Sequence, residues 1–174
     1  PLKRNRSVEY YYFGGLLWGW LSVVVTMVIL EVFGQGQLES EPGPTILGAL
    51  IINWVSFMTL VMVQWYRYMQ IPVTGVDFCI LSISCISCLC YTYSFVRPIW
   101  LHCILGPKVE IPRMAQWMGC VILHCIVLEQ PAVVSKKGMV PFVSLSQMLS
   151  LICAYASFYT DKPAAAWVWL GMSC

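Results

Sequence analysis

Five apolar runs dominate this chain: Tyr11–Phe33, Pro44–Tyr66, Val76–Phe95, Ile111–Val134 and Val140–Tyr159. Each is close to the roughly 20 mostly apolar residues that a helix needs to cross the hydrocarbon core of a bilayer. At that depth no water pairs with backbone N–H and C=O groups, so a chain of this pattern satisfies them inside helices. A sixth run, Ala164–Cys174, is about half a span long by the same measure. The predicted fold is therefore all-α: a polytopic transmembrane helix bundle of five full spans and a partial sixth, forming a single transmembrane domain over residues 1–174.

Composition agrees with lipid as the solvent. Of 174 residues, 59% are hydrophobic and 10% are charged, and the mean hydropathy is +0.75. Soluble domains carry about 25% charged residues, and a water-facing surface this apolar would be one continuous adhesive patch. The first run is too long for a signal-peptide core and has no small-residue cleavage site after it. Starting at Pro1 and stopping in mid-helix at Cys174, the chain reads as a piece of a longer protein. The net charge of +2 is spread too thinly for a nucleic-acid footprint, and no segment interleaves basic and aromatic residues. The expected partners are the lipid bilayer and either a homodimer mate or partner membrane subunits, with no nucleic acid.

Loop charges predict an orientation. Lys3, Arg4 and Arg6 precede the first run, Arg67 follows the second, and Lys136 and Lys137 follow the fourth. With alternating spans these all fall on one side, while Glu39, Glu41, the mixed segment Arg97–Arg113, Asp161 and Lys162 fall on the other. The positive-inside rule makes the first side cytoplasmic, and the N-terminus with it.

Nine cysteines are many for this length, yet seven of them lie inside apolar runs. Cys85 and Cys88 have the spacing of a metal or redox pair, but no polar flank or second ligand pair accompanies them. Their expected role is that of small apolar residues, and no metal site is predicted.

Polar residues within the spans are the candidates for function. Glu31 is near enough to the end of its run to reach the headgroups. Asp77 is positioned as a helix cap, and Asn53, Gln64 and Gln147 suit hydrogen bonds between helices. Gly14, Gly15 and Gly19 would let a neighbouring helix approach closely. In the fourth run, Arg113, Gln116, Trp117, Cys120, His124 and Cys125 recur at spacings of three and four, which predicts one shared side of a helix. Glu129 follows near its end. His124 alone is more naturally a packed residue than a ligand, and nothing places His102 beside it. No Ser/His/Asp set, phosphate loop or carboxylate pair is present.

The segment Arg113–Met114–Ala115–Gln116–Trp117 resembles the third-helix motif of microbial (type 1) rhodopsins, Arg-x-x-Asp/Glu-Trp. In that family the arginine lies at the extracellular end, the carboxylate is the counterion to a protonated retinal Schiff base, and the tryptophan packs on the polyene. Gln147 falls near the polar position of the family's fourth helix, and Trp167–Val168–Trp169 resembles the aromatic run of its fifth. On this mapping residues 44–174 are the rhodopsin-like helices, incomplete, and 11–33 is an extra N-terminal helix, as in the enzyme-linked rhodopsin phosphodiesterases and guanylyl cyclases. The resemblance implies retinal as cofactor, bound against Gln116, Trp117, Cys120, Val121, Gln147, Trp167 and Trp169, with Arg113 in the counterion region.

The chain departs from the family pattern in three ways. Gln116 replaces the carboxylate, Cys120 stands where a hydroxyl residue is common, and none of Lys3, Lys108, Lys136, Lys137 and Lys162 lies within a span. A retinal lysine, and any cyclic-nucleotide enzyme domain, would lie beyond Cys174. Two readings follow: a light-sensing membrane domain signalling to a cytoplasmic C-terminal domain, or a non-catalytic structural subunit of a larger membrane complex. A transporter has little behind it, because the intramembrane carboxylates are few and unpaired.

Overall fold

A computed structural model describes residues 6–33, 37–38, 43–106, 108–129 and 139–173. Lys3, Arg4, Glu39, Glu41, Lys136, Lys137 and the end of the fourth run beyond Glu129 lie outside them. The described elements are α1 (Arg6–Phe33), β1 (Gln37–Leu38), α2 (Pro44–Tyr68), α3 (Gly75–Val96), β2 (Ile99–His102), β3 (Lys108–Glu110), α4 (Ile111–Glu129), α5 (Met139–Ala156) and α6 (Pro163–Ser173). A single 3₁₀ turn, Ser157–Tyr159, prolongs α5. Five helices are long and apolar enough to cross a membrane, so the chain is an all-α bundle of the multi-pass membrane type.

Local chemistry sets the helix ends. Pro44 occupies the first turn of α2, where its missing N–H has no partner to lose. The α2–α3 connection closes with a capping box: Thr74 accepts from the Asp77 N–H, and the Asp77 carboxylate accepts from the Thr74 N–H at 2.9 Å. Within α3, the hydroxyls of Ser84, Ser87, Thr92 and Ser94 donate to carbonyls four residues earlier. That internal pairing lets an apolar span carry serines without stranding them.

A three-stranded antiparallel sheet, in the order β1-β2-β3, gathers the C-terminal ends of α1 and α3 and the start of α4 at one end of the bundle. Gly106 turns the β2–β3 hairpin with φ of 102°, a conformation that glycine adopts without steric cost. The 3₁₀ turn after α5 is tied to this end too, because the Cys103 thiol donates to the Ser157 carbonyl. The sheet thus makes α1 and α3 parallel to each other and antiparallel to α4.

α4 is the axis of the bundle. Of the residues in its span, 61% are buried, against 6% for α2. α1 packs along one side of it, α3 along a second and α5 along a third. Gly19 and Gly119 form the closest seam: a Cβ on Gly119 would stand 2.7 Å from the Gly19 carbonyl oxygen. Gly15 also faces α4, at Ile126, whereas Gly14 faces open space. The core has two parts. One, around Cys79, Ile86, Cys120, Leu123 and Ile126, fills the middle of the α1–α3–α4 packing. The other lies under the sheet, where Ile99, Leu101, Ile111, Met114 and Tyr155 meet.

Candidate functional site

The α4 backbone turns about 100° per residue, and its neighbours divide the resulting faces. Gly119, Leu123 and Ile126 meet α1. Met114 meets α5, whose Tyr155 hydroxyl donates to its carbonyl at 2.6 Å. Gln116 and Cys120 meet α3: the Gln116 amide donates to the Ser87 hydroxyl at 2.8 Å, and the Cys120 thiol points at the Ile83 carbonyl at 3.9 Å. One face is open among the described residues. Arg113, Trp117, His124 and Leu128 lie exposed along it, with Val121 half-buried at its margin.

The expected single stripe on this helix is therefore split. Arg113, Trp117 and His124 share the open face, whereas Gln116 and Cys120, about 20–60° round the helix from Arg113, fall under α3, and Cys125 packs at the edge of the core. The Arg113 guanidinium lies over the Trp117 ring, 6.0 Å from its centroid, a cation–π arrangement that shields part of the charge. His124 turns Nδ1 back to the Cys120 carbonyl of its own helix at 2.8 Å, leaving its other ring nitrogen outward. His102 is on β2, at the sheet end.

Gln147 is exposed on α5. It does not line the cavity between α1 and α5, although its neighbour Met148 does and Tyr155, about 80° round the helix from it, does too. Trp167 and Trp169 are both exposed. Being two residues apart on α6, they point to nearly opposite sides, so only one of them can share a site with Trp117. The cavity itself, about 500 Å³ between α1 and α5, is lined by Leu21, Ser22, Val25, Met118, Ile152 and Tyr159 among others. None of the candidate cofactor residues lines it.

The other sequence candidates occupy simpler positions. Glu31 accepts from the Tyr93 hydroxyl and lies 3.5 Å from Arg97 at the sheet end. Asp77 is the cap described above. Asn53 bonds back to its own helix at the Ala49 carbonyl, 2.8 Å away. Cys88 donates to the Met58 sulfur at 3.6 Å.

Sequence reasoning missed Glu110. It stands in a segment of mixed charge and gives no spacing signal, yet it is 5% exposed, the most buried carboxylate among the described residues. It is the last residue of β3, outside the span of α4, and burial pushes its carboxyl above the usual glutamate range, against smaller opposing pulls from Ser94 and Arg113. Only the pairing of Lys108–Glu110 with Trp100–His102 could have revealed the fold-over that buries it.

No family model, curated protein or solved structure matches the chain.

Proposed function

We propose that this chain is the light-sensing, retinal-binding membrane domain of a receptor resembling the enzyme-linked microbial rhodopsins. Its N-terminus would be cytoplasmic and its signal would pass to a cytoplasmic C-terminal domain. The observation that carries the reading is the open face of α4: Trp117 offers its ring there and Arg113 caps it toward the sheet end. Loop charge supports the orientation, since Lys3, Arg4, Arg6, Arg67, Lys136 and Lys137 share one side if the spans alternate.

The residues present fit one part of a retinal site and not the other. Trp117 and Val121 make an apolar wall for a polyene, and Gln147 lies exposed on α5. The linkage has no candidate here, because all five lysines lie outside the apolar spans. The Schiff-base lysine of this reading has to come from sequence outside these 174 residues. Gln116, a neutral amide bonded to Ser87, supplies no counterion charge. When bound, retinal would supply absorption of visible light and isomerisation. The role of this chain's own residues is mechanical: Trp117 bears on the ligand, and the Gln116–Ser87 bond ties any shift of α4 to α3.

The full-length receptor, expressed with all-trans-retinal and purified, is expected to show a visible absorbance band that is missing without retinal. Absence of that band sinks the reading. A tag on the N-terminus should be protected from protease outside intact cells.

A second reading, a non-catalytic subunit of a larger membrane complex, is favoured by His124. A polar ring exposed at membrane depth is costly, and a helix of a partner subunit packed on the open face would satisfy its outward nitrogen. Co-purification of a stoichiometric membrane partner that protects His124 from chemical modification, together with failure to bind retinal, would decide for it.

A further inference from the structure

Glu110 is held where a negative charge is hard to sustain. It ends β3 beneath the sheet, is 5% exposed, and its Oε1 has no hydrogen-bond partner. Its surroundings are poor in compensating charge. From α3 it meets Cys90 and Ser94, whose hydroxyl is shared between the Glu110 carboxyl and the Cys90 carbonyl, to which it donates at 3.0 Å. From β2 it meets Trp100, its partner across the ladder, while His102 stands two pairs further along, opposite Lys108. From α4 comes Arg113, whose guanidinium is turned outward over the Trp117 ring. Among the described residues, no cation lies within ion-pair distance of the carboxyl.

A buried carboxylate with one oxygen unpaired and no cation in contact favours its protonated form. Its nearest described cation is occupied by an aromatic face, a weaker partner for a guanidinium than a carboxylate would be. The two arrangements compete for the same guanidinium.

We propose that Glu110 is a neutral carboxylic acid in the resting bundle, and that its ionisation draws Arg113 off Trp117 into an ion pair at the sheet end of α4. The proton leaves to water, and the guanidinium compensates the charge that remains. The chain thereby carries a proton-linked switch between two positions of Arg113. It requires neither retinal nor light, so it stands or falls separately from the light-sensing reading.

The test uses the full-length protein in lipid vesicles, without retinal and in the dark. Just above the ordinary glutamate range the infrared spectrum of wild type minus Glu110→Gln should still contain the C=O stretch of a protonated carboxylic acid. That band should disappear in a one-proton step on the alkaline side of the ordinary glutamate range. The Trp117 fluorescence, obtained by subtracting a Trp117→Phe variant, should change in the same step. It should be constant in Glu110→Gln. Arg113→Gln, which removes the compensating cation, should move the infrared step to higher pH and abolish the fluorescence change. This variant keeps the proposal testable if Glu110→Gln folds poorly. An infrared step within or below the ordinary glutamate range overturns the proposal. So does a Trp117 step that survives in Glu110→Gln, or an infrared step that Arg113→Gln leaves in place.

Discussion

Two sides of α4 differ as sharply as any two surfaces in the molecule. Toward α1 the helix packs tightly: Leu123 and Ile126 fit against Gly19 and Gly15, and between them Gly119 meets Gly19 closely enough for backbone to touch backbone. On the open flank it carries Arg113, Trp117 and His124, large groups with polar atoms that lie exposed among the described residues. Lipid provides no hydrophobic drive between helices, so association rests on close packing and hydrogen bonds. The glycine side has committed itself to a fixed neighbour by that route. The flank is built from residues that pack badly against lipid and well against a ligand or another helix. Within one helix, then, the first side is where stability resides and the second is where function is to be sought.

The comparison breaks most easily at the seam. In Gly119→Ala the new methyl would stand 2.7 Å from the Gly19 carbonyl oxygen and 2.3 Å from a Val23 methyl. Val23 can rotate, but the backbone oxygen cannot, so α1 and α4 must part. The expected cost is about 1–3 kcal/mol, reduced by the roughly 1 kcal/mol that alanine gains over glycine in a helix. Gly14→Ala has nothing within 4 Å and should be neutral or slightly stabilising. Thermal unfolding in detergent reads both variants, and equal melting temperatures would show that the seam is not what holds α1.

An intermediate effect is expected where α4 meets α3. Gln116→Leu keeps the volume and removes the bond to Ser87. Ser87 still donates to the Ile83 carbonyl at 2.8 Å, so no buried hydroxyl is stranded, and the loss should be only about 0.5–1 kcal/mol. A double-mutant cycle with Ser87→Ala isolates that coupling. A coupling energy near zero would mean that Gln116 is not a tie between the helices, and the mechanical part of the proposed function would lose its basis.

What the sequence made legible follows from which constraints are local. Lipid demands long apolar helices, so the five spans could be read directly, and Pro44 and Asp77 could be placed at helix starts from their own chemistry. The sheet could not be read. Its strands are two to four residues long, too short for alternation to stand out, and Ile99 and Leu101 are lost in the mixed segment Arg97–Arg113. With the sheet went Glu110, whose burial depends entirely on the hairpin folding over the end of α3. The candidate stripe on α4 failed for a subtler reason. Spacings of three and four define a broad arc of a helix, and only the neighbours decide where that arc is cut. α3 covers the edge with Gln116 and Cys120 and leaves Arg113, Trp117 and His124 bare.

The smallest expected change in stability is the most informative about function. Trp117 is 46% exposed and its one described polar neighbour is Arg113, so Trp117→Ala removes little packing. Substitutions at such positions usually stay within about 0.5 kcal/mol, and the melting temperature should scarcely move. If the open flank is a ligand wall, however, the same variant of the full-length receptor should lose or strongly shift the retinal absorbance band. Gly119→Ala should show the reverse pattern, with weakened unfolding resistance and a retained band in the fraction that folds. Should Trp117→Ala instead destabilise the protein as much as Gly119→Ala does, the flank would belong to the structural core of an assembly. The subunit reading would then displace the light-sensing one.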